Sequence, residues 1–155
     1  LYIAIGWLSL SVFAAVLGIH VGMQYANSRQ AAAVSLATVF FLIVGVGVSM
    51  RIMTAFSGSF QAQLQPFLAT IVGGGVGLYA ALGRRNPSPA ITLGSFILPL
   101  ATFYALTSFL LGAGLAALLA VLGAYSFTTA ALLIPAIFEF DVATGRTSGG
   151  EDRDG

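Results

Sequence analysis

Leu115-Ala116-Ala117-Leu118-Leu119-Ala120-Val121-Leu122-Gly123-Ala124-Tyr125-Ser126-Phe127-Thr128-Thr129-Ala130-Ala131-Leu132-Leu133-Ile134-Pro135-Ala136-Ile137-Phe138-Glu139-Phe140 carries no charged side chain before Glu139. About 20 apolar residues in a helix cross the roughly 30 Å hydrocarbon layer of a bilayer. This run exceeds that length and predicts a span that is tilted or projects beyond the membrane. Hydrocarbon offers the backbone no hydrogen bonds, so a crossing segment of this kind closes its own as a helix.

Four further runs precede it: Leu1 to about Met23, about Ala31 to Met50, about Pro66 to Gly83, and about Ala90 to Leu111. Between them lie short polar connectors. Gln24-Tyr25-Ala26-Asn27-Ser28-Arg29-Gln30 joins the first two, and Arg84-Arg85-Asn86-Pro87-Ser88-Pro89 joins the third and fourth, its prolines breaking helix and setting a turn. Gly112-Ala113-Gly114 is a tight turn before the last. The stretch Arg51–Gln65 is too polar to span and too apolar for a free loop, and it predicts an interfacial or partly re-entrant helix. The expected fold is all-α: a polytopic transmembrane helix bundle of about five spanning helices plus a short interfacial helix. Residues 1–140 form the membrane domain and 141–155 a disordered, charged, glycine-rich cytoplasmic tail.

Composition agrees. Of 155 residues, 58% are hydrophobic and 7% charged, and the mean hydropathy is +0.98. Soluble domains carry about 25% charged residues, so this chain has too little charge to cover a water-facing surface. The net charge of +1 and the lack of any basic stripe give nucleic acid no footprint. The chain has no cysteine, which excludes disulfides, thiolate metal sites and cysteine nucleophiles. It begins at Leu1 without a charged leader, so it reads as truncated at the N-terminus rather than as bearing a signal peptide.

The basic residues are all arginine: Arg29, Arg51, Arg84, Arg85, Arg146 and Arg153. Cytoplasmic loops collect such residues. Placing the Arg29 loop inside puts every arginine but Arg51 in the cytoplasm, so the C-terminus is expected there and the Gly112–Gly114 turn outside, as in a bacterial inner membrane protein. Tyr2 and Trp7 suit the outer interface and Tyr25 the inner one.

Within the spans no acid or arginine lies near the middle. Such charges mark ion and proton routes, and their lack argues against ion-coupled transport. It argues equally against a membrane-embedded enzyme, which needs a carboxylate pair, a metal cluster or a nucleophile with its base. His20 is the sole histidine, so it makes no two-histidine metal site and reads as a polar residue near the membrane edge. No catalytic, cofactor-binding or metal-binding residue is expected. Gly18 with Gly22 and Gly73 with Gly77 are GxxxG pairs. They fit close packing at a helix or subunit interface, although such pairs also arise by chance in a glycine-rich chain. Pro99 is expected to kink the fourth span. Ser95, Thr102, Tyr104, Thr107 and Ser108 give that span a polar complement, suited to a pathway or to interhelical hydrogen bonds.

The junction Leu17-Gly18-Ile19-His20-Val21-Gly22-Met23-Gln24-Tyr25-Ala26-Asn27-Ser28-Arg29-Gln30-Ala31-Ala32-Ala33 resembles the fourth-to-fifth helix junction of ABC-2 type transporter permeases. In that family a span ends in glycine, a short cytoplasmic stretch with Asn, Ser and Arg follows, and a small-residue-rich span resumes. Gly22, Asn27, Ser28, Arg29 and Ala31 match. The resemblance covers roughly Leu1 to Met50, and the three spans that follow depart from the family pattern. It implies the membrane subunit of an ATP-driven exporter, dimeric in its membrane domains and served by a cytoplasmic ATPase. The chain has neither lysine nor a phosphate-binding loop, so ATP hydrolysis would belong to a separate subunit. The turns Asn27-Ser28-Arg29 and Arg84-Arg85-Asn86 are the expected coupling points, being short, polar and tied to helices. The other expectation is a non-transporting membrane anchor or assembly subunit.

Overall fold

The computed structural model describes residues 1–55, 59–85 and 87–143. Five helices in it are long and apolar enough to cross a membrane: α1 (Tyr2–Gln24), α2 (Ser28–Ala55), α3 (Phe60–Leu82), α4 (Pro89–Leu110) and α5 (Gly114–Ala143). Among the described residues there is no strand. The chain is an all-α bundle of membrane-spanning helices.

Local chemistry sets most of the ends. The Asn27 side chain accepts from Arg29 N–H to start α2, Ser59 from Ala62 N–H to start α3, and Ser88 from Ile91 N–H, with Pro89 next, to start α4. These are helix N-caps, each partnering an amide that the first turn leaves open. Helix α4 ends in a paired closure: Gly112 N–H bonds Phe109 O at 3.0 Å and Ala113 N–H bonds Ser108 O at 2.8 Å. That closure needs a left-handed residue, and Gly112 supplies it with φ 81°.

The stretch Arg51–Gln65 differs from its expectation. It is not a separate interfacial helix: Arg51–Ala55 complete α2 and Phe60–Gln65 open α3, with residues 56–58 outside the described set. The physical reason is length. At 1.5 Å per residue α2 extends about 42 Å, enough to traverse the headgroup zones as well as the hydrocarbon. Arg51 in the last turns of α2 and the exposed Gln61 and Gln65 in the first turns of α3 are therefore helical. Pro66, expected at the start of the third span, lies inside α3. Likewise α5 continues through Asp141 to Ala143, and the remainder of the expected tail, from residue 144, lies outside the described residues.

The helices contact in ring order: α1 on α2, α2 on α3, α3 on α4, α4 on α5, and α5 back on α1, with α2 also touching α4. The core holds Phe13, Leu17 and Val21 of α1, Leu42 of α2, Leu82 of α3, Leu98 of α4, and Tyr125 and Leu132 of α5. Phe13 and Tyr125 meet edge to face at 5.1 Å. Large apolar side chains such as Trp7, Leu36, Phe40, Leu110 and Phe138 face outward, as lipid allows.

Between lipid-soluble helices the hydrophobic effect gives no net attraction, so close packing and hydrogen bonds hold them together. Glycines permit that closeness at three points. A Cβ on Gly74 would lie 2.2 Å from Phe41 Cζ of α2, one on Gly75 2.3 Å from Phe96 Cδ1 of α4, and one on Gly94 2.9 Å from Thr128 Oγ1 of α5. Thr128 cannot swing aside freely, because its hydroxyl bonds Ala124 O at 2.8 Å. Gly94→Val is therefore expected to force α4 from α5 and lower stability by about 1–3 kcal/mol. Gly123→Ala, where a Cβ meets nothing within 4 Å, should change it by less than about 0.5 kcal/mol. Thermal unfolding of the purified protein in detergent measures both.

Candidate functional site

The helix order carries Arg29, Arg84 and Arg85 to one end of the bundle and Arg51 to the other. At the arginine-rich end the last turns of α1 and α3 meet. His20 Nε2 lies 2.9 Å from Leu82 O, Gln24 Nε2 lies 2.8 Å from Leu82 O, and the two side-chain nitrogens are 2.8 Å apart. The Gln24 amide has two protons, enough for both the carbonyl and an unprotonated His20 Nε2. The His20–Leu82 O contact needs the hydrogen on Nε2 and the Gln24–His20 contact needs it absent, so the tautomer decides which of the two is a hydrogen bond, while Gln24 holds Leu82 O in either case. Both side chains are buried, and Gln24 Oε1 has no hydrogen-bond partner among the described residues.

Just beyond, Arg85 Nη1 donates to Met23 O at 3.0 Å, and the Arg84 guanidinium lies 5.1 Å from the centre of the Tyr25 ring. A cation beside the open carbonyls of a helix C-terminus is favourable, and the ring face attracts the second guanidinium. The α3–α4 turn is thus fastened to the α1–α2 turn. Of the expected coupling residues, Arg84 and Arg85 reach the Met23–Tyr25 segment. Asn27 caps α2, Ser28 and Arg29 stand exposed on its first turn, and Asn86 lies outside the described residues.

The other singled-out residues divide. Among the described residues a Cβ on Gly18, Gly22, Gly73 or Gly77 would meet nothing within 4 Å, so no described helix packs on them. Their four-residue spacing locates a face but not the direction in which that face points, and the intramolecular contacts fall on Gly74 and Gly75 instead. Pro99 is buried, and α4 runs through it unbroken. The hydroxyls of α4 mostly turn back on their own helix: Ser95 to Ile91 O, Thr102 to Leu98 O and Thr107 to Phe103 O. Thr102 also reaches across, 2.7 Å from the Tyr125 hydroxyl of α5. Tyr104 faces outward.

Two features were missed. Helices α2 and α3 each contain one π turn, Phe41–Gly45 and Ala69–Gly73, and the Phe41 ring rests on Gly74 beside the second. Close by, the hydroxyls of Ser49 and Thr70 lie within hydrogen-bond reach of each other and of Pro66 O, three contacts served by two protons. Nothing in an apolar run marks such turns, although the glycines that flank them were visible. The second is a cavity in the arginine-poor half, between α1, α4 and α5, of about 240 Å³. Tyr2 and Trp7 line it nearer the helix ends and Thr102 and Tyr125 deeper in. Among the described residues no group of three His, Asp or Glu side chains gathers as a metal site.

His20→Leu removes the ring nitrogen that lies within hydrogen-bond distance of both Leu82 O and Gln24 Nε2, and leaves one of those buried groups without a partner. It is expected to cost about 1–3 kcal/mol, the range for a buried polar group stripped of its partner. Ser11→Ala, which removes an exposed hydroxyl bonded to Trp7 O of its own helix, should cost less than about 0.5 kcal/mol. Thermal unfolding of the two variants side by side checks the difference.

No family model, curated protein or solved structure matches this chain.

Proposed function

We propose that the chain is a membrane-spanning permease subunit of an ATP-driven, ABC-type exporter, with its arginine-rich end in the cytoplasm of a bacterial cell and its motor on a separate ATPase subunit. The observation that carries this reading is the fastening of the two turns at that end. Arg85 on Met23 O and Arg84 on Tyr25 make the α1–α2 and α3–α4 turns one unit. A push on either turn would reach α1, α2, α3 and α4 together, as a stroke-receiving surface requires. The exposed Asn27, Ser28 and Arg29 border the same unit and offer polar contacts. The resemblance of Leu17–Ala33 to the ABC-2 junction supports the same reading. The open faces at Gly18, Gly22, Gly73 and Gly77 leave room for a second membrane domain to approach.

A second reading is a non-transporting anchor or assembly subunit. It is favoured by the hydroxyls of Ser95, Thr102 and Thr107, which are turned onto carbonyls of their own helix rather than along a polar path.

Two measurements test the proposal. Because the chain has no cysteine, single cysteines at Ser28 and the exposed Ala113 report sidedness cleanly. A membrane-impermeant maleimide is expected to label Ala113→Cys from outside intact cells and Ser28→Cys only after lysis; the reverse pattern sinks the orientation. Purification under mild detergent is expected to bring down ATP hydrolysis activity, and the Arg84→Ala, Arg85→Ala double variant to uncouple that activity from transport while the protein still reaches the membrane. A chain that purifies without ATPase activity, or a double variant that couples normally, favours the anchor.

A further inference from the structure

The cavity of the arginine-poor half is lined at its deep end by the residues whose hydroxyls join α4 to α5. Its wall is apolar along Gly6, Leu10, Ala105 and Ala117. Thr102 lies eight residues before the end of α4, about 12 Å along the helix axis, which brings the Thr102–Tyr125 pair close to the middle of the roughly 30 Å hydrocarbon layer. One hydrogen-bonding pair therefore lies on the wall of an apolar chamber at the depth where polar atoms are scarcest.

The direction of its hydrogen bonds can be worked out. Thr102 Oγ1 donates its single proton to Leu98 O at 2.7 Å. The Tyr125 hydroxyl, 2.7 Å from Thr102 Oγ1, must then be the donor between the two. Both protons are engaged, and only oxygen lone pairs remain. In this arrangement the pair offers acceptors. An ester, ether, ketone or carboxylate brings only acceptors and gains nothing there, whereas a molecule with an O–H gains a bond in a medium that offers few others. The ester-linked lipids of a bilayer are therefore poor competitors for the deep end. In size, a cavity on the order of 150 Å³ holds a benzene ring; this one is larger and takes a short hydrocarbon chain.

We propose that this cavity is a binding site for a neutral, apolar alcohol that arrives through the bilayer. Its hydroxyl donates to the Thr102–Tyr125 pair, and its hydrocarbon runs toward Trp7. The site does not depend on whether ATP drives the protein.

Trp7 is the only tryptophan in the chain and lines the cavity, so its fluorescence reports occupancy. The protein in lipid nanodiscs is titrated with 8-bromo-1-octanol, whose bromine quenches indole on contact, and in parallel with the methyl ether of the same bromoalcohol. The alcohol is expected to give saturable quenching and the ether, at equal membrane concentration, only the linear quenching of a solute dissolved in lipid. Gly6 lines the cavity and has open space where a Cβ would stand, so Gly6→Phe should fill the chamber without displacing a neighbour and abolish the saturable part. The Thr102→Val, Tyr125→Phe double variant should lose the preference for alcohol over ether, a change of severalfold up to about tenfold in affinity. Equal saturable quenching by alcohol and ether in the unmodified protein overturns the hydroxyl assignment, and needs no variant to fold. Saturable quenching that survives Gly6→Phe overturns the site.

Discussion

Hydrocarbon neither donates nor accepts hydrogen bonds, and every feature of this protein follows from that refusal. A backbone amide left open in lipid costs several kcal/mol, so the chain crosses only as helix. The same rule governs side chains. Ser95, Thr107, Thr128 and Thr129 each bond the carbonyl four residues back, which hides a hydroxyl within its own helix and leaves little to hold one helix to another. Cohesion then falls to shape. Rings seated on Gly74 and Gly75, and the close approach of α4 to α5 at Gly94, replace the water-driven collapse that holds a soluble core.

The polar atoms that do bridge helices are few, and each lies where its bond has little competition. His20 and Gln24 converge on Leu82 O at one end, Ser49 and Thr70 share Pro66 O between α2 and α3, and Tyr125 meets Thr102 at mid-depth. They divide the bundle by character. The arginine-rich end is tied down by side chains bonded to the carbonyls of Met23 and Leu82. The opposite half is looser and holds an apolar chamber. A subunit that receives force at one end and accommodates an apolar molecule toward the other would be built on this plan.

The spans could be read from the sequence because run length against bilayer thickness is a one-dimensional measurement. The ends were harder. Glutamines at 61, 63 and 65 read as lying outside the spans and Pro66 as the start of the third, yet one helix runs through all four, because headgroups tolerate both polarity and helix. The clustering of Arg29, Arg84 and Arg85 could be seen, but their partners could not: whether Arg85 finds Met23 O depends on α3 ending beside α1, which no local pattern records. Tyr125 went unremarked for the same reason. In an apolar run one hydroxyl resembles another until a neighbouring helix supplies Thr102. The GxxxG spacing sets Gly18 with Gly22 and Gly73 with Gly77 on shared helix faces, but repeat length says nothing of azimuth, and the glycines of α3 that touch neighbours lie one and two residues along from Gly73.

The two π turns bear on how the chain tolerates changes of length. Each holds one residue more than a regular α-turn would use. Elsewhere in a span, losing a residue rotates everything downstream by about 100° and presents the wrong side to the bundle. Within Phe41–Gly45 or Ala69–Gly73 the surplus is already stored, and shedding it yields an ordinary helix whose later turns keep their neighbours. These two facing segments are the joints at which helices α2 and α3 can shorten or slide by one residue while both ends of the protein stay in register with the membrane.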